Sequence, residues 1–213
     1  MVGEGVLHEC LLHPQVEEVL VIGRKPCGYS HPKIKEIIMD DFFKISKHEN
    51  ELQGYDACFF CSGTSILRRT EGEYRKITYD MTLAVARILA ARCPDMTFCY
   101  VSGAGTDSTE NGKVLWARIK GKTENDLFRL PFKQVFAFRP GYIQPTKGLR
   151  HTLWFYKTCS WLYPVWRTLF PSFVSTLREV GVAMINATLY GYDRQILEVK
   201  DINTLAKIGN HHT

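Results

Sequence analysis

Short apolar runs that end in glycine, serine or acidic residues alternate along this chain with helical patterns. That order limits the fold more than any single motif. Val19-Leu20-Val21-Ile22 closes on Gly23-Arg24-Lys25-Pro26, Ile37-Ile38-Met39 on Asp40-Asp41, and Ala57-Cys58-Phe59-Phe60-Cys61 on Ser62-Gly63-Thr64. Met96 to Val101 closes on Ser102-Gly103-Ala104-Gly105, and Gln134 to Phe138 on Arg139-Pro140-Gly141. Continuous apolar runs bounded by turn residues are the signature of strands buried on both faces. Helical spacing joins them: Val6, Leu7, Cys10 and Leu11 up to His13-Pro14, then Tyr74 to Arg92 with Ile77, Met81, Val85 and Leu89 on one face, then Val114 to Leu130. Strands separated by single helices imply right-handed crossovers and a parallel sheet.

In such a sheet ligands bind beyond the carboxyl ends of the strands, where all these polar endings gather. The expected fold is α/β, a Rossmann-type doubly wound parallel sheet of about six strands. Residues 1–213 are read as one domain, with a dinucleotide-binding core over 1–145 and a smaller substrate-side part over 146–213. A domain of this kind opens with a buried strand, a glycine-rich turn and a helix whose N-terminus receives a pyrophosphate. Here Met1-Val2-Gly3 leads directly into the helical pattern, so the expectation is a chain that starts within that turn and lacks its first strand. Gly3 then takes the place of the fingerprint's last glycine, which permits close helix–strand packing.

Composition narrows the function classes. A net charge of +5 suits an anionic ligand but is too diffuse for nucleic acid, which calls for basic residues along one face. The seven scattered cysteines make a poor disulfide framework, and no signal peptide or membrane span is visible, so a reduced, cytoplasmic protein is expected. Cys58 and Cys61 lie three apart in a strand, on opposite faces, which argues against a redox pair or metal clip. The histidines show no metal-ligand spacing, and His211-His212 falls in the tail.

The ordered strand endings resemble the atypical, extended-like members of the short-chain dehydrogenase/reductase superfamily. These are the NAD-dependent epimerase/dehydratase-like proteins, and the nearest branch is the Tat-interacting-protein type of oxidoreductase. The residues that carry the resemblance are Gly3, Gly23-Arg24-Lys25, Ser62-Gly63-Thr64, Ser102, Lys120 within Trp116 to Glu124, and Phe138-Arg139-Pro140-Gly141. It implies cofactor contacts from Gly3, Arg24, Lys25, Asp40, Ser62, Gly63, Lys120, Pro140, Gly141 and Tyr142. Arg24 and Lys25 stand where an acidic residue would hold the ribose hydroxyls of NAD; basic residues there suit the 2′-phosphate, so NADP is expected in preference to NAD. Asp40 could accept from the adenine amine or cap the turn before Phe42.

The resemblance also implies a catalytic group: a serine (Ser102), a lysine (Lys120) and, four residues before the lysine, a tyrosine that moves the proton. That last position holds Trp116, whose indole does not titrate in the usable range. Two readings follow. One is an NADP-dependent oxidoreductase acting on a small carbonyl or alcohol; the other is a non-catalytic dinucleotide-binding regulator or scaffold. Tyr100 and Tyr142 are the next candidates for the proton. The aromatic segment 153–173, with Trp154, Trp161, Trp166 and Phe173 among basic residues and prolines, is read as an apolar pocket wall, or else as a membrane-surface or protein contact, with plain core filling as the third reading.

Overall fold

The computed structural model describes residues 1–67, 69–146 and 172–208. Its strands are β1 (Val19–Gly23), β2 (Ile34–Ile38), β3 (Ala57–Phe60), β4 (Thr97–Val101), β5 (Gln134–Arg139), β6 (Tyr142–Gln144), β7 (Val174–Thr176) and β8 (Ile196–Glu198). The helices are α1 (Val2–Leu12), α2 (Glu71–Arg75), α3 (Met81–Arg92), α4 (Leu115–Leu127), α5 (Leu177–Tyr190) and α6 (Val199–Leu205). A π-helical turn, Lys76–Asp80, joins α2 to α3. Every strand pairing is parallel, as the alternation of strands and helices requires.

The α/β parallel architecture expected from the sequence is borne out, but the sheet is divided. Four strands run in the order β3-β4-β5-β8, β1 pairs with β2, and β6 pairs with β7. β1 and β3 run in the same sense. Tyr55, before β3, donates its hydroxyl to Glu18, before β1, at 2.6 Å, and the segments after both strands meet the first turn of α1. No ladder joins the two strands, so among the described residues each has an edge without a partner strand. The amides of Val19 and Thr97 donate to Lys33 and Asp56, which fixes the alternation: Leu20 and Ile22 on β1, and Ala57 and Phe59 on β3, turn their backbone groups to those edges.

Period-two alternation divides the core into two halves. On one face Cys99, Phe136 and Phe138 pack with Val6 and Cys10 of α1 and Val180, Ala183 and Met184 of α5. On the other, Phe60, Phe98, Tyr100 and Val135 pack with Met81, Val85, Ala86 and Leu89 of α3 and Leu127 of α4. Cys58 packs with the second group and Cys61 with the first, so the two thiols do lie on opposite faces. Glycine lets α1 and α5 approach closely: a Cβ on Gly5 would stand 2.9 Å from Leu177, and one on Gly181 2.8 Å from Glu9. Thr176 and Glu179 start α5 with reciprocal side-chain-to-backbone hydrogen bonds of 3.0 and 2.7 Å.

Residues beyond 145 supply β8, which extends the main sheet from β5, and α5, which packs on α1. The aromatic segment 153–173 lies outside the described residues except for Ser172 and Phe173, both exposed. His211-His212 lies outside them as well.

Candidate functional site

Three groups of predicted residues stand at strand ends. The first surrounds the N-terminus of α1. Cys61, following β3, packs so closely on this turn that a Cβ on Gly3 would lie 3.3 Å from its Cβ. The loop after β1 arches over the same turn, and Tyr29 donates its hydroxyl to Glu4 at 2.7 Å. The close-packing role expected of Gly3 is thus visible, and Gly63 stands in open space where added bulk would touch nothing within 4 Å. The first N–H groups of a helix have no intrahelical acceptor and carry the positive end of its dipole, so this turn fits a negatively charged group.

The second group follows β1 and β2. Met39 donates its amide to the Gly23 carbonyl at 2.9 Å, which brings Asp40 beside the start of Arg24-Lys25. Arg24, Lys25 and Asp40 are all exposed. Asp40 does not cap the following turn. That role falls to Asp41, which accepts from the Phe43 amide at 3.0 Å. Asp40 instead lines a cleft with Met39, Lys44, Lys47 and His48. Another cleft, between α2 and α4 and lined by Arg75, Tyr79, Arg118 and Lys122, contains none of the predicted residues.

The third group gathers where β4 and β5 end. Ser102 is buried, and its amide donates to Phe138 O at 2.7 Å; Ala104 N donates to Pro140 O at 3.0 Å. Lys120 reaches back from α4 to donate to Val101 O at 3.3 Å, with its ammonium 5.2 Å from the Tyr100 ring centroid. Burial pulls the Lys120 pKa down to about 8, against the opposing field of Glu124. Trp116, one turn before Lys120, passes 3.9 and 3.6 Å from where Gly103 and Gly105 would carry a Cβ. The structure therefore brings Ser102, Lys120, Trp116 and Pro140 together. Gly141 owes its small size to packing, since a Cβ there would stand 2.4 Å from the Phe173 carbonyl. Tyr142 turns its hydroxyl to Gln144 at 3.1 Å, and Tyr100 is buried among Phe60, Phe98 and α3, with burial raising its pKa strongly.

Sequence reasoning missed two residues of this corner, Thr106 and Gly121, and the partners of a third, Arg139. Thr106 donates to Gly103 O at 2.8 Å and pairs with Ser102 at 3.0 Å. Gly121 gives way to the loop after β4, since a Cβ there would overlap the Asp107 carbonyl oxygen at 1.8 Å. Arg139 spends its guanidinium on protein groups: Nε donates to Glu124 at 3.1 Å, Nη1 to Glu198 at 3.2 Å and Nη2 to Ser108 at 2.6 Å and to Glu124. Among the described residues no His/Cys/Asp/Glu group is placed to hold a metal ion, and all six described cysteines are free.

Fold and strand-end geometry together define an α/β protein of the epimerase/dehydratase shape. The enzyme WbmF of Bordetella bronchiseptica, solved with NAD+, superposes with a TM-score of 0.64 at 15% identity, covering 100% of this chain and 76% of that one. ADP-L-glycero-D-manno-heptose-6-epimerase of Helicobacter pylori gives 0.66 at 14% identity, covering 97% and 78%. No family model matches the chain. Among curated proteins, HTATIP2 of Rattus norvegicus is 26% identical over 144 residues, 66% of this chain and 58% of its own length. Protein fmp52-1, mitochondrial, of Aspergillus oryzae is 29% identical over 150 residues, 67% of this chain and 62% of its own. The chain thus spans about three fifths of the length of these relatives. The resemblance read from the sequence is borne out: the chain is similar to the HTATIP2 and FMP52 proteins and shares the fold of solved epimerases, as the atypical, extended-like short-chain dehydrogenase/reductase resemblance implied. One expectation is corrected. The fungal relatives are named mitochondrial, which overturns the cytoplasmic location inferred from cysteine usage and the lack of a visible leader. Free buried thiols report a reducing environment, and that does not single out one compartment.

Proposed function

We propose that this protein binds a nicotinamide dinucleotide, NADP in preference to NAD, and that the site acts on a small carbonyl or alcohol. The observation that carries the reading is the convergence of the segments after β1 and β3 on the N-terminus of an 11-residue helix. The first amides and the dipole of a helix suit a pyrophosphate. Arg24 and Lys25 would meet a 2′-phosphate, Asp40 an adenine amine, and Ser62-Gly63 would pass beneath the ligand. Lys120 would hold the nicotinamide ribose, Ser102 would orient the substrate oxygen, and Pro140, Gly141 and Tyr142 would form the adjoining wall. The dinucleotide, when bound, supplies the hydride. The protein's share is to orient the reactants and place a hydroxyl and an ammonium beside the reacting oxygen. WbmF was solved with NAD+ and with NADH, which supports the cofactor class without choosing between the phosphorylated and unphosphorylated forms.

Calorimetric titration with NADP and NAD tests this. NADP is expected to bind more tightly, and Arg24→Ala to weaken NADP much more than NAD. Equal losses for both would remove Arg24 from the phosphate, and no binding of either would overturn the reading.

A further inference from the structure

Lys120 and Glu124 are one helical turn apart on α4, the spacing at which a lysine and a glutamate ordinarily pair. They do not pair here. Glu124 is fully buried and gives its oxygens to Arg139 at the end of β5, while Lys120 turns to the Val101 carbonyl and, among the described residues, makes no ion pair. Arg139 is itself held by Ser108 from the loop after β4 and by Glu198 at the start of α6. Its planar fork engages a carboxylate through two parallel donors and fixes the direction in which that carboxylate points.

We propose that Arg139 is a positioning residue for Lys120: by holding Glu124 it keeps that carboxylate off the lysine and leaves the ammonium free to face a ligand. The inference rests on the proposed function only for what the ammonium is used for; the charge relay itself belongs to the protein alone. Among the described residues the titratable or charged groups around Lys120 are Glu124 from its own helix and Tyr100 from β4, with Tyr74 of α2 beyond it. Glu124 is therefore the one carboxylate among them whose release would reach the lysine directly. Burial of Lys120 makes the relay readable, because its titration falls near pH 8, apart from that of ordinary lysines.

The test follows Lys120 by NMR of carbon-13-methylated lysines in the full chain, titrated with pH, with Lys120→Arg assigning the signal. Arg139→Met should raise the Lys120 midpoint by about one unit or more, the size a newly freed opposite charge gives. Glu124→Gln should lower it. The double variant Arg139→Met/Glu124→Gln should behave as Glu124→Gln does, because the effect passes through the carboxylate. It also leaves neither Arg139 nor Glu124 as a buried charge without its partner, so it keeps the comparison available if Arg139→Met alone does not fold; Arg139→Lys, which retains one donor, should then give a smaller rise. A residue that merely braces the fold would not move one lysine in opposite directions. An unchanged midpoint in Arg139→Met and Arg139→Lys, or an equal rise with and without Glu124, would overturn the proposal. Neither outcome depends on whether NADP binds. If it does bind, Arg139→Lys should weaken NADP in step with the shift in midpoint.

Discussion

Ser102 and Thr106 share a hydroxyl–hydroxyl hydrogen bond of 3.0 Å at the carboxyl end of β4. Thr106 has one proton, and it goes to the Gly103 carbonyl at 2.8 Å, so Ser102 must be the donor between the two. A substrate carbonyl would have to take that proton away from Thr106, whereas an alcohol could donate to Ser102 without disturbing the pair.

Thr106→Val keeps the shape and removes both bonds. It should lower stability by about 1–2 kcal/mol, two modest hydrogen bonds of which one leaves a buried partner unsatisfied. It should also free the Ser102 hydroxyl. Urea unfolding measures the first effect. An unchanged midpoint would show that the Gly103–Thr106 turn is not held by this side chain.

Gly121 sits in the interior of α4, where alanine is ordinarily the better residue by about 1 kcal/mol. Here a Cβ would overlap the Asp107 carbonyl oxygen, and the loop that carries Thr106 and Ser108 would have to move. Gly121→Ala should therefore destabilise by about 1–3 kcal/mol despite its helix propensity. A stabilised variant would mean that the loop lifts at little cost.

The open edges of β1 and β3 make a prediction of alternate residues. Val21 and Cys58 turn their backbone groups to β2 and β4, while Leu20, Ile22, Ala57 and Phe59 turn theirs to the edge without a ladder. Amide exchange should be faster at Leu20, Ile22, Ala57 and Phe59 than at Val21 and Cys58, a period-two pattern in strands with a similar degree of burial. Uniform protection along β1 would show that its outer edge is covered in solution.

How much of this was legible depended on whether the information was local. The runs that became β1 to β5 were bounded by their own turn residues, and β1, β4 and β5 appear within a residue or two of expectation. β6, β7 and β8 have three residues each, too short for periodicity to register, and exist because β6 pairs with β7 and β8 pairs with β5. At the site, Ser102 and Lys120 could be found from their place after a strand and within a helix. Thr106 was one threonine in a glycine-rich turn, and Gly121 one glycine in a helix. Arg139 bonds Glu124 across fifteen positions, a contact that only the folded sheet creates.

Lys120 gives a pH dependence whose sign can be worked out. Its pKa is about 8 in the folded chain against 10.5 for an unperturbed lysine. Below about 8 both states hold the proton, and the cost of burying the ammonium is borne in full. Between about 8 and 10.5 the folded state has released the proton while the unfolded state keeps it, so this group's contribution to stability rises with pH. Urea midpoints of the wild type relative to Lys120→Met should therefore rise between about pH 7 and about pH 10. NADP affinity should move the opposite way, falling above about pH 8 as the ammonium donor is lost. A flat difference in the urea midpoints would place the lysine in solvent.

Trp116 decides how much chemistry the site can do. Its indole packs near Gly103 and Gly105, in the turn that follows Ser102, and it stands one helical turn before Lys120. The indole N–H can donate a hydrogen bond but cannot surrender a proton near neutral pH, so carbonyl reduction by NADPH should run slowly in the unmutated protein. Trp116→Tyr puts a titrating phenol on the same helical face as Lys120, whose positive charge would lower the phenol's pKa. Positioned acid–base assistance is typically worth about 10²–10⁴-fold, and a gain on the order of 10² is expected. The gain should follow the ionisation of one new group in the pH–rate profile and disappear in Trp116→Tyr/Ser102→Ala. The smaller ring also leaves space over Gly103 and Gly105, so a general loosening is separated from catalysis by Trp116→Phe, which should open the same space and give no gain. If Trp116→Phe accelerates the reaction as much as Trp116→Tyr, the indole obstructs the site and the proton comes from another residue.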